Sequence, residues 1–269
     1  MTTPHNGTAL ITGASTGIGA TYADRLARRG YDLVLVARDQ KKLEALAERL
    51  TKETGVKVEA FKADLSAKAD LARVEQRLRD DDQITMLVNN AGVSAKTALV
   101  GGNLDEFEAM VQLNIVALMR LAGAAAPGFV ARGKGTIINI GSVLALAPEL
   151  FDGVYSGTKA FVLNLTQALH HELSPKGIRL QAVLPGATRT EIWEKAGKDV
   201  TKFPPGFVME VDVMVDAALA GLDLGELVTI PALPDIEDWE KFNAARLALG
   251  PNLSRDQAAD RYKKVAPKS

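Results

Sequence analysis

A tyrosine and a lysine four residues apart, Tyr155-Ser-Gly-Thr-Lys159, are the side chains of this sequence best suited to proton chemistry. On a helix that spacing puts both on one face, about 6 Å of rise apart. An ammonium held near a phenol favours the phenolate. The expectation is therefore a Tyr155 pKa below its ordinary ~10 and a usable acid/base at neutral pH. Two polar residues belong with the pair. Ser142 lies just past the apolar run Gly135-Thr-Ile-Ile-Asn-Ile140 and opens the loop leading into the Tyr155 helix. Asn114 falls on the stripe Phe107, Met110, Val111, Leu118 of a long helical stretch. A buried amide there would cost roughly 1–3 kcal/mol if left without partners. Two roles are open for it: holding a helix kink through a water, or relaying between that water and Lys159.

A second constellation suits a phosphate. In Thr8-Ala-Leu-Ile-Thr-Gly-Ala-Ser-Thr-Gly-Ile-Gly-Ala20 an apolar run stops at Thr12, and glycines follow at 13, 17 and 19. A strand, a tight turn and a helix in that order aim unpaired N–H groups beyond the strand end. Glycine is required where a Cβ would block the turn or the approach of a pyrophosphate.

These residues need a scaffold that gathers strand ends. Short continuous apolar runs at Asp32–Ala37, Val56–Phe61, Ile84–Asn89, Gly135–Ile140 and Ile178–Leu184 read as strands buried on both faces. Amphipathic helices are expected between them over Tyr22–Arg29, Lys41–Thr54, Ala67–Arg79, Leu104–Ala131 and Val154–Leu173. Strand and helix alternate at least six times through short connections, which implies an α/β fold with a doubly wound parallel sheet and helices on both faces. A helix over Val211–Leu222 and a last strand at Leu227–Ile230 bring the sheet to about seven strands. In such sheets ligands bind beyond the carboxyl ends of the strands. The tail from Pro234, with Trp239, Phe242 and Leu247 at near-helical spacing, then Pro251 and a charged helix to Lys268-Ser269, reads as an appendage (234–269) on one domain covering 1–269. It could cover the active site or pad a subunit interface.

Composition narrows the function. The chain has 47% hydrophobic residues, 24% charged residues and a net charge of −1, which suits a globular protein and gives no basic excess for general nucleic-acid binding. With no cysteine, disulfide and thiolate chemistry are excluded, in agreement with a reducing cytoplasm. The opening Met1-Thr-Thr-Pro-His-Asn-Gly7 has no signal-peptide character, and the longest apolar run, Ala117–Ala126, is broken by Arg120, so no membrane partner is expected. His170 and His171 stand mid-helix with no ligand partners nearby and read as packing or surface residues; no metal is expected.

Taken together, Thr12-Gly-x-x-x-Gly-x-Gly19, Asn89-Asn-Ala-Gly92, Asn114, Ser142, Tyr155-x-x-x-Lys159 and Pro185-Gly186 resemble the short-chain dehydrogenase/reductase family from about Thr8 to Thr190. The resemblance implies a Rossmann fold, a homodimer or homotetramer pairing through Leu104–Ala131 and Val154–Leu173, and hydride transfer between a nicotinamide and a carbonyl or secondary alcohol. It makes Tyr155 the acid/base, Lys159 its electrostatic partner and nicotinamide-ribose ligand, Ser142 the donor to the substrate oxygen, and Asn114 the holder of a relay water. It places Gly13, Ser15, Thr16, Gly17, Ile18 and Gly19 around the pyrophosphate and Asp64 and Leu65 at the adenine. Asn90, Ala91 and Gly92 would lie under the adenosine ribose, and Pro185, Gly186, Thr188 (through its backbone) and Thr190 along the nicotinamide. Two other functions are weighed: a regulatory dinucleotide-binding protein without turnover, and an epimerase or dehydratase of the same family. The second usually shows a different glycine spacing and a longer C-terminal substrate domain.

Cofactor choice can be argued physically. The second strand ends Val36-Ala37-Arg38, and an arginine there favours a 2′-phosphate, predicting NADP(H) with NAD(H) as the alternative. Asp39 complicates this, and Ser15 or Thr16 could add phosphate contacts. The segments Val93–Leu99, Val143–Phe151 and Glu191–Val208 offer Leu144, Leu146, Leu150, Phe151, Ile192, Trp193, Phe203 and Phe207 to a small-molecule substrate. The last segment forms a lid at about 190–210. Such a lining suits an apolar or aromatic ketone or alcohol.

Overall fold

The computed structural model describes residues 6–94, 97–191, 193, 199 and 202–263. Seven parallel strands form one sheet in the order β3-β2-β1-β4-β5-β6-β7. They are β1 (Thr8–Thr12), β2 (Asp32–Ala37), β3 (Val58–Lys62), β4 (Ile84–Asn89), β5 (Gly135–Ile140), β6 (Ile178–Val183) and β7 (Val228–Thr229). Six main helical stretches connect them: α1 (Gly17–Arg28), α2 (Gln40–Thr54), α3 (Lys68–Asp80), α4 (Leu104–Val111) running through a π turn (Gln112–Ala117) into α5 (Leu118–Arg132), α6 (Gly153–Leu173) and α7 (Val211–Leu224). Because side chains alternate across a strand, Ala9, Ile11, Leu33 and Leu35 join one buried cluster with α1, α2 and α7. Leu10, Val34 and Val36 join the other, with α3 and α5. The apolar runs are continuous because both faces are covered. The strand order reverses between β1 and β4, which opens the crevice where this architecture holds ligands.

Several boundaries differ from expectation for local reasons. Helix α1 starts at Gly17, earlier than Tyr22, because the glycine turn itself supplies the first helical residues. Strand β3 starts at Val58, since the Lys57 N–H is taken by the Asp32 carboxylate at 2.8 Å before the ladder begins. The long helix is interrupted in its hydrogen-bonding pattern by the six-residue π turn around Asn114. Leu104–Arg132 as a whole is long and apolar enough to cross a membrane by length and composition alone. In this fold it lies against α3 and β4, and Arg120 reaches back to the buried Glu75 carboxylate, which Arg79 also contacts at 3.0 Å.

The chain divides into two compact units, Met1–Pro231 and Ala232–Ser269. The second contains α8 (Ile236–Ala248), started by Asp235, whose carboxylate accepts the Glu237 N–H at 2.9 Å. A tight turn at Gly250–Asn252 and a helical turn at Asp260–Lys263 follow. The rest of the charged helix expected up to Lys268-Ser269 lies outside the described residues, as do Met1–His5 and Ile192.

Candidate active site

Ser142 leaves the end of β5, and its Oγ accepts the Leu144 N–H at 3.2 Å, turning the chain toward α6. The carboxylate of Asp152 caps α6 by accepting the Tyr155 N–H at 2.8 Å, which places Tyr155 in the first turn. Tyr155 packs edge-on against Phe151, with ring centroids 5.8 Å apart, and against Phe107 and Met110 of α4. The Ser142 side chain lies near enough to its phenol to favour the phenolate. One turn further on, Lys159 is buried. Its Nζ donates to the Ile140 carbonyl at 3.0 Å and lies 5.6 Å from the Tyr155 ring centroid. Residues drawn from β5, the following loop and two turns of α6 thus meet at one strand end.

The electrostatics correct one expectation. Burial pushes the Tyr155 phenol up to about 12, opposed by the nearby Ser142. Burial pushes the Lys159 ammonium down to about 8. Lys159 does not hold Tyr155 below its ordinary value here, because its ammonium faces the Ile140 carbonyl and the tyrosine ring. Both groups are driven toward neutrality by the same desolvation. Tyr155 is therefore a protonated donor across the neutral range.

Asn114 is 2% exposed and fully engaged. Its Oδ1 accepts the Val93 N–H at 2.9 Å, while Nδ2 donates to the Val93 carbonyl at 2.9 Å and to Thr158 Oγ1 at 3.2 Å. Thr158 in turn donates to the Tyr155 carbonyl at 2.7 Å. The amide side chain is thus a clamp joining the π turn, the segment after β4 and the Tyr155 helix. These bonds give the side chain a structural part in the site. Gly92 passes between: a Cβ there would sit 3.1 Å from Asn114 Oδ1 and 3.7 Å from Lys159 Nζ.

At the end of β1, Gly13 has φ +64°, and a Cβ on Gly19 would lie 2.4 Å from the Gly13 carbonyl. The turn is closed by Thr12, whose hydroxyl accepts N–H bonds from Asn90 at 2.9 Å and Ala91 at 3.0 Å and donates to the Val88 carbonyl at 3.3 Å. The Asn90 amide donates to the carbonyls of Thr12 and Gly13 at 2.9 and 3.2 Å. Thr16 stands at the N-cap of α1 without a side-chain cap, and no acidic residue lies in the first turn. Half-buried Ser15, Thr16, Gly17 and Ile18 therefore border an open, uncapped helix N-terminus. The methyl of Thr190 approaches this turn: its Cγ2 would lie 3.2 Å from a Cβ at Gly17.

Arg38 is exposed at the end of β2 and forms no ion pair among the described residues. The Asp39 carboxylate caps α2 by accepting the Lys42 N–H at 3.1 Å. Asp64 accepts the Ser66 N–H at 3.0 Å, which bends the chain after β3, and Leu65 is buried beneath it. A cavity of about 250 Å³ is lined by Arg38, Ser66, Val93, Phe107 and Leu113 among others. The charge of Arg38, the uncapped α1 N-terminus and a turn that a side chain would fill fit a phosphorylated dinucleotide.

Beyond β6, the Pro185 carbonyl accepts the Val143 N–H at 3.0 Å, joining this turn to the Ser142 loop. The Thr188 hydroxyl donates to the Gly186 carbonyl at 3.1 Å, leaving its backbone carbonyl to accept the Trp193 indole N–H at 2.8 Å. Trp193 meets Phe203 edge-on at 5.0 Å, and Phe203 stacks on Phe207 at 5.5 Å. The excursion is pinned at its base: Arg189 N–H donates to the Met209 carbonyl and Met209 N–H to the Ala187 carbonyl, both at 2.9 Å. Leu144, Leu146 and Phe151 are half-buried, whereas Leu150 and Phe207 are exposed. No group of three or more metal-ligating side chains occurs among the described residues.

Sequence reasoning passed over a polar chain beneath the site. Buried Asn89 donates to Asn139 Oδ1 at 3.0 Å, and Asn139 donates to Thr166 Oγ1 at 2.9 Å, tying β4 and β5 to α6. The visible signal was two asparagines inside apolar strands; their pairing required the β4–β5 register, in which Asn89 faces Asn139. Thr12 and Thr158 were likewise missed as organising hydroxyls.

Residues 7–201 match the short chain dehydrogenase family. A short-chain dehydrogenase from Sphingobium yanoikuyae, solved in complex with NADPH, is 57% identical, with a TM-score of 0.92 over 95% of this chain and 100% of its own. A bulky-bulky ketone specific alcohol dehydrogenase from Comamonas testosteroni is 49% identical, with a TM-score of 0.89 over 96% of this chain and 99% of its own. A diacetyl reductase [(S)-acetoin forming] from Staphylococcus epidermidis is 33% identical over 81% of this chain and 84% of its own. The chain spans 60% of the length of the rat very-long-chain 3-oxoacyl-CoA reductase, which is 34% identical over the shared part. With the parallel sheet and the clustered Ser142, Tyr155 and Lys159, these similarities place the chain in the short-chain dehydrogenase/reductase family, as an oxidoreductase acting on CH–OH groups with a nicotinamide dinucleotide.

Proposed function

We propose that this enzyme is an NADP(H)-dependent oxidoreductase that interconverts a ketone and a secondary alcohol bearing apolar or aromatic substituents. The observation that carries the chemistry is the gathering of Ser142, Tyr155 and Lys159 at one strand end, with Lys159 Nζ 5.6 Å from the Tyr155 ring centroid and the Ser142 loop joined to the Pro185 turn. When bound, the nicotinamide supplies the hydride in reduction or accepts it in oxidation. Ser142 orients the substrate oxygen, and Tyr155 transfers its phenolic proton to that oxygen in reduction or takes it back in oxidation. The phenolate left by reduction is met by the charge of Lys159, which sits within 5.6 Å of the ring. Lys159 and the backbone at Pro185, Gly186 and Thr188, with Thr190, would hold the nicotinamide end, and Gly13–Gly19 the pyrophosphate. Asp64, Leu65 and Asn90–Gly92 would hold the adenosine end.

Arg38 supports the NADP(H) preference because it has no competing carboxylate, Asp39 being committed to the α2 cap. The named cofactor of the Sphingobium protein agrees. The aromatic series Trp193, Phe203 and Phe207 and the few fixed charges near Tyr155 support an apolar substrate, as does the ketone class named for the Comamonas enzyme. Activity in a homodimer or homotetramer, pairing through the helices at Leu104–Arg132 and α6, belongs to the same proposal. The test is a panel of ketones and alcohols assayed with both cofactors by nicotinamide absorbance, repeated with Tyr155→Phe. Turnover should vanish in the variant while NADPH binding persists, because only the proton donor is removed. Substantial residual turnover would overturn the assigned mechanism.

A further inference from the structure

None of the thirteen residues of α8 is buried. Ile236, Phe242 and Leu247 are 42%, 51% and 59% exposed, and Leu249 and Leu253 just beyond the helix are 57% and 75% exposed. The unit that contains it, Ala232–Ser269, falls below the ~40 residues under which a fold usually needs disulfides, a metal or association. The chain has no cysteine, and no metal-ligating group of three occurs among the described residues. Association with another apolar surface would supply the missing burial.

The charges on α8 identify the partner. Glu237 and Lys241 satisfy each other on one side of the helix, at 3.1 Å. Asp238, Phe242, Arg246 and Leu249 follow one another down another side at helical spacing, with the Trp239 ring against Phe242 at 5.6 Å. On that side Asp238 and Arg246 form no ion pair among the described residues; Arg246 reaches only the neutral Asn243 oxygen, at 2.8 Å. Phe242 is the midpoint of the helix, with the unpaired acid four residues before it and the unpaired base four residues after. A helix with that pattern is complementary to itself when inverted. Parallel pairing would set like charge on like.

We infer that α8 is a self-association surface, pairing antiparallel with α8 of a second copy of this chain about a two-fold axis through Phe242. Asp238 then faces Arg246 of the other copy in both directions, as an isologous contact requires. Trp239 and Phe242 supply the apolar centre and the charges fix the register.

The absence of native cysteine makes the test direct. In the full chain, Phe242→Cys introduces a single thiol that the proposed symmetry places opposite itself. Mild air oxidation with copper–phenanthroline should yield a reducible disulfide-linked dimer. Glu237→Cys, on the other side of the helix, should remain monomeric on the same non-reducing gel. Adding Arg246→Asp to Phe242→Cys should slow cross-linking by about tenfold through like-charge repulsion, and adding Asp238→Arg as well should restore it. Unfolding midpoints matching wild type would show the variants folded. No dimer from Phe242→Cys, equal dimer from Glu237→Cys, or indifference to the charge exchange would each overturn the inference. Pairing through the other helices gives none of this pattern, so the result is independent of the catalytic proposal.

Discussion

Replacing Lys159 with methionine should make the cofactor-free protein more stable and inactive at once. Lys159 is buried, and its ammonium is held down to about 8 from an ordinary 10.5. At 1.36 kcal/mol per unit, the charged form costs the folded state about 3 kcal/mol. Methionine removes that cost and also the hydrogen bond to the Ile140 carbonyl, worth about 1 kcal/mol. The net gain near neutral pH is about 2 kcal/mol, or ~4–8 °C in Tm for a chain of this size. The sign is fixed by linkage. Between pH 8 and 10.5 the folded wild type binds fewer protons at this site than the unfolded chain, so wild-type stability rises with pH across that window. The penalty is full below it and absent above it, where the variant loses its advantage and becomes about 1 kcal/mol the less stable. Urea unfolding of both proteins at several pH values measures the difference, in which contributions from all other groups cancel. A difference that stays constant from neutral pH to 10.5 would refute the assignment of a destabilised ammonium at Lys159.

Three further outcomes can be checked. Arg38→Asp should lower kcat/KM for NADPH by roughly 10–100-fold, the worth of a charge-assisted contact, and narrow or invert the preference over NADH; unchanged discrimination would place phosphate selection elsewhere. Thr166→Val strands the Asn139 amide that donates to Thr166 Oγ1 at 2.9 Å, so unfolding free energy should fall by about 1–3 kcal/mol, with Thr166→Ser close to wild type. Trp193→Phe removes the indole bond to the Thr188 carbonyl but keeps an aromatic ring against Phe203. KM for an aromatic ketone should rise about fivefold with kcat little changed, as loss of one hydrogen bond in binding predicts; a kcat effect alone would contradict a substrate-side role.

The sheet was legible because parallel strands buried on both faces leave continuous apolar runs, and the strand ends were legible because glycine and small polar residues collect there. The Tyr155–Lys159 spacing located both residues correctly, yet it misjudged the sign of the Tyr155 shift. Spacing reports proximity; it does not report that Lys159 would turn to the Ile140 carbonyl and that burial would act on both groups. In the sequence Asp39 is a carboxylate beside Arg38 that could weaken the NADP(H) preference. Its use as the α2 cap depends on where that helix begins. Asn114 was recognised as an anomaly, but its partners Val93 and Thr158 lie 21 and 44 residues away and required the fold. Asn114 suggested a helix kink, but that the irregularity is a π turn has no side-chain signature.

The paired backbone bonds between Ala187–Arg189 and Met209 have a consequence for how this scaffold can diversify. They form a neck that hands the chain back to the same point however the intervening residues run, with the Arg189–Glu210 ion pair, at 2.7 Å, beside it. Doubling the length of a flexible insertion costs only about 0.6 kcal/mol in closure entropy. Segments of other lengths and compositions can therefore be grafted between Thr190 and Met209 while β6, the Ser142 loop and α7 keep their places. Under the proposed function, substrate range would be an exchangeable part, inherited separately from the chemistry it serves.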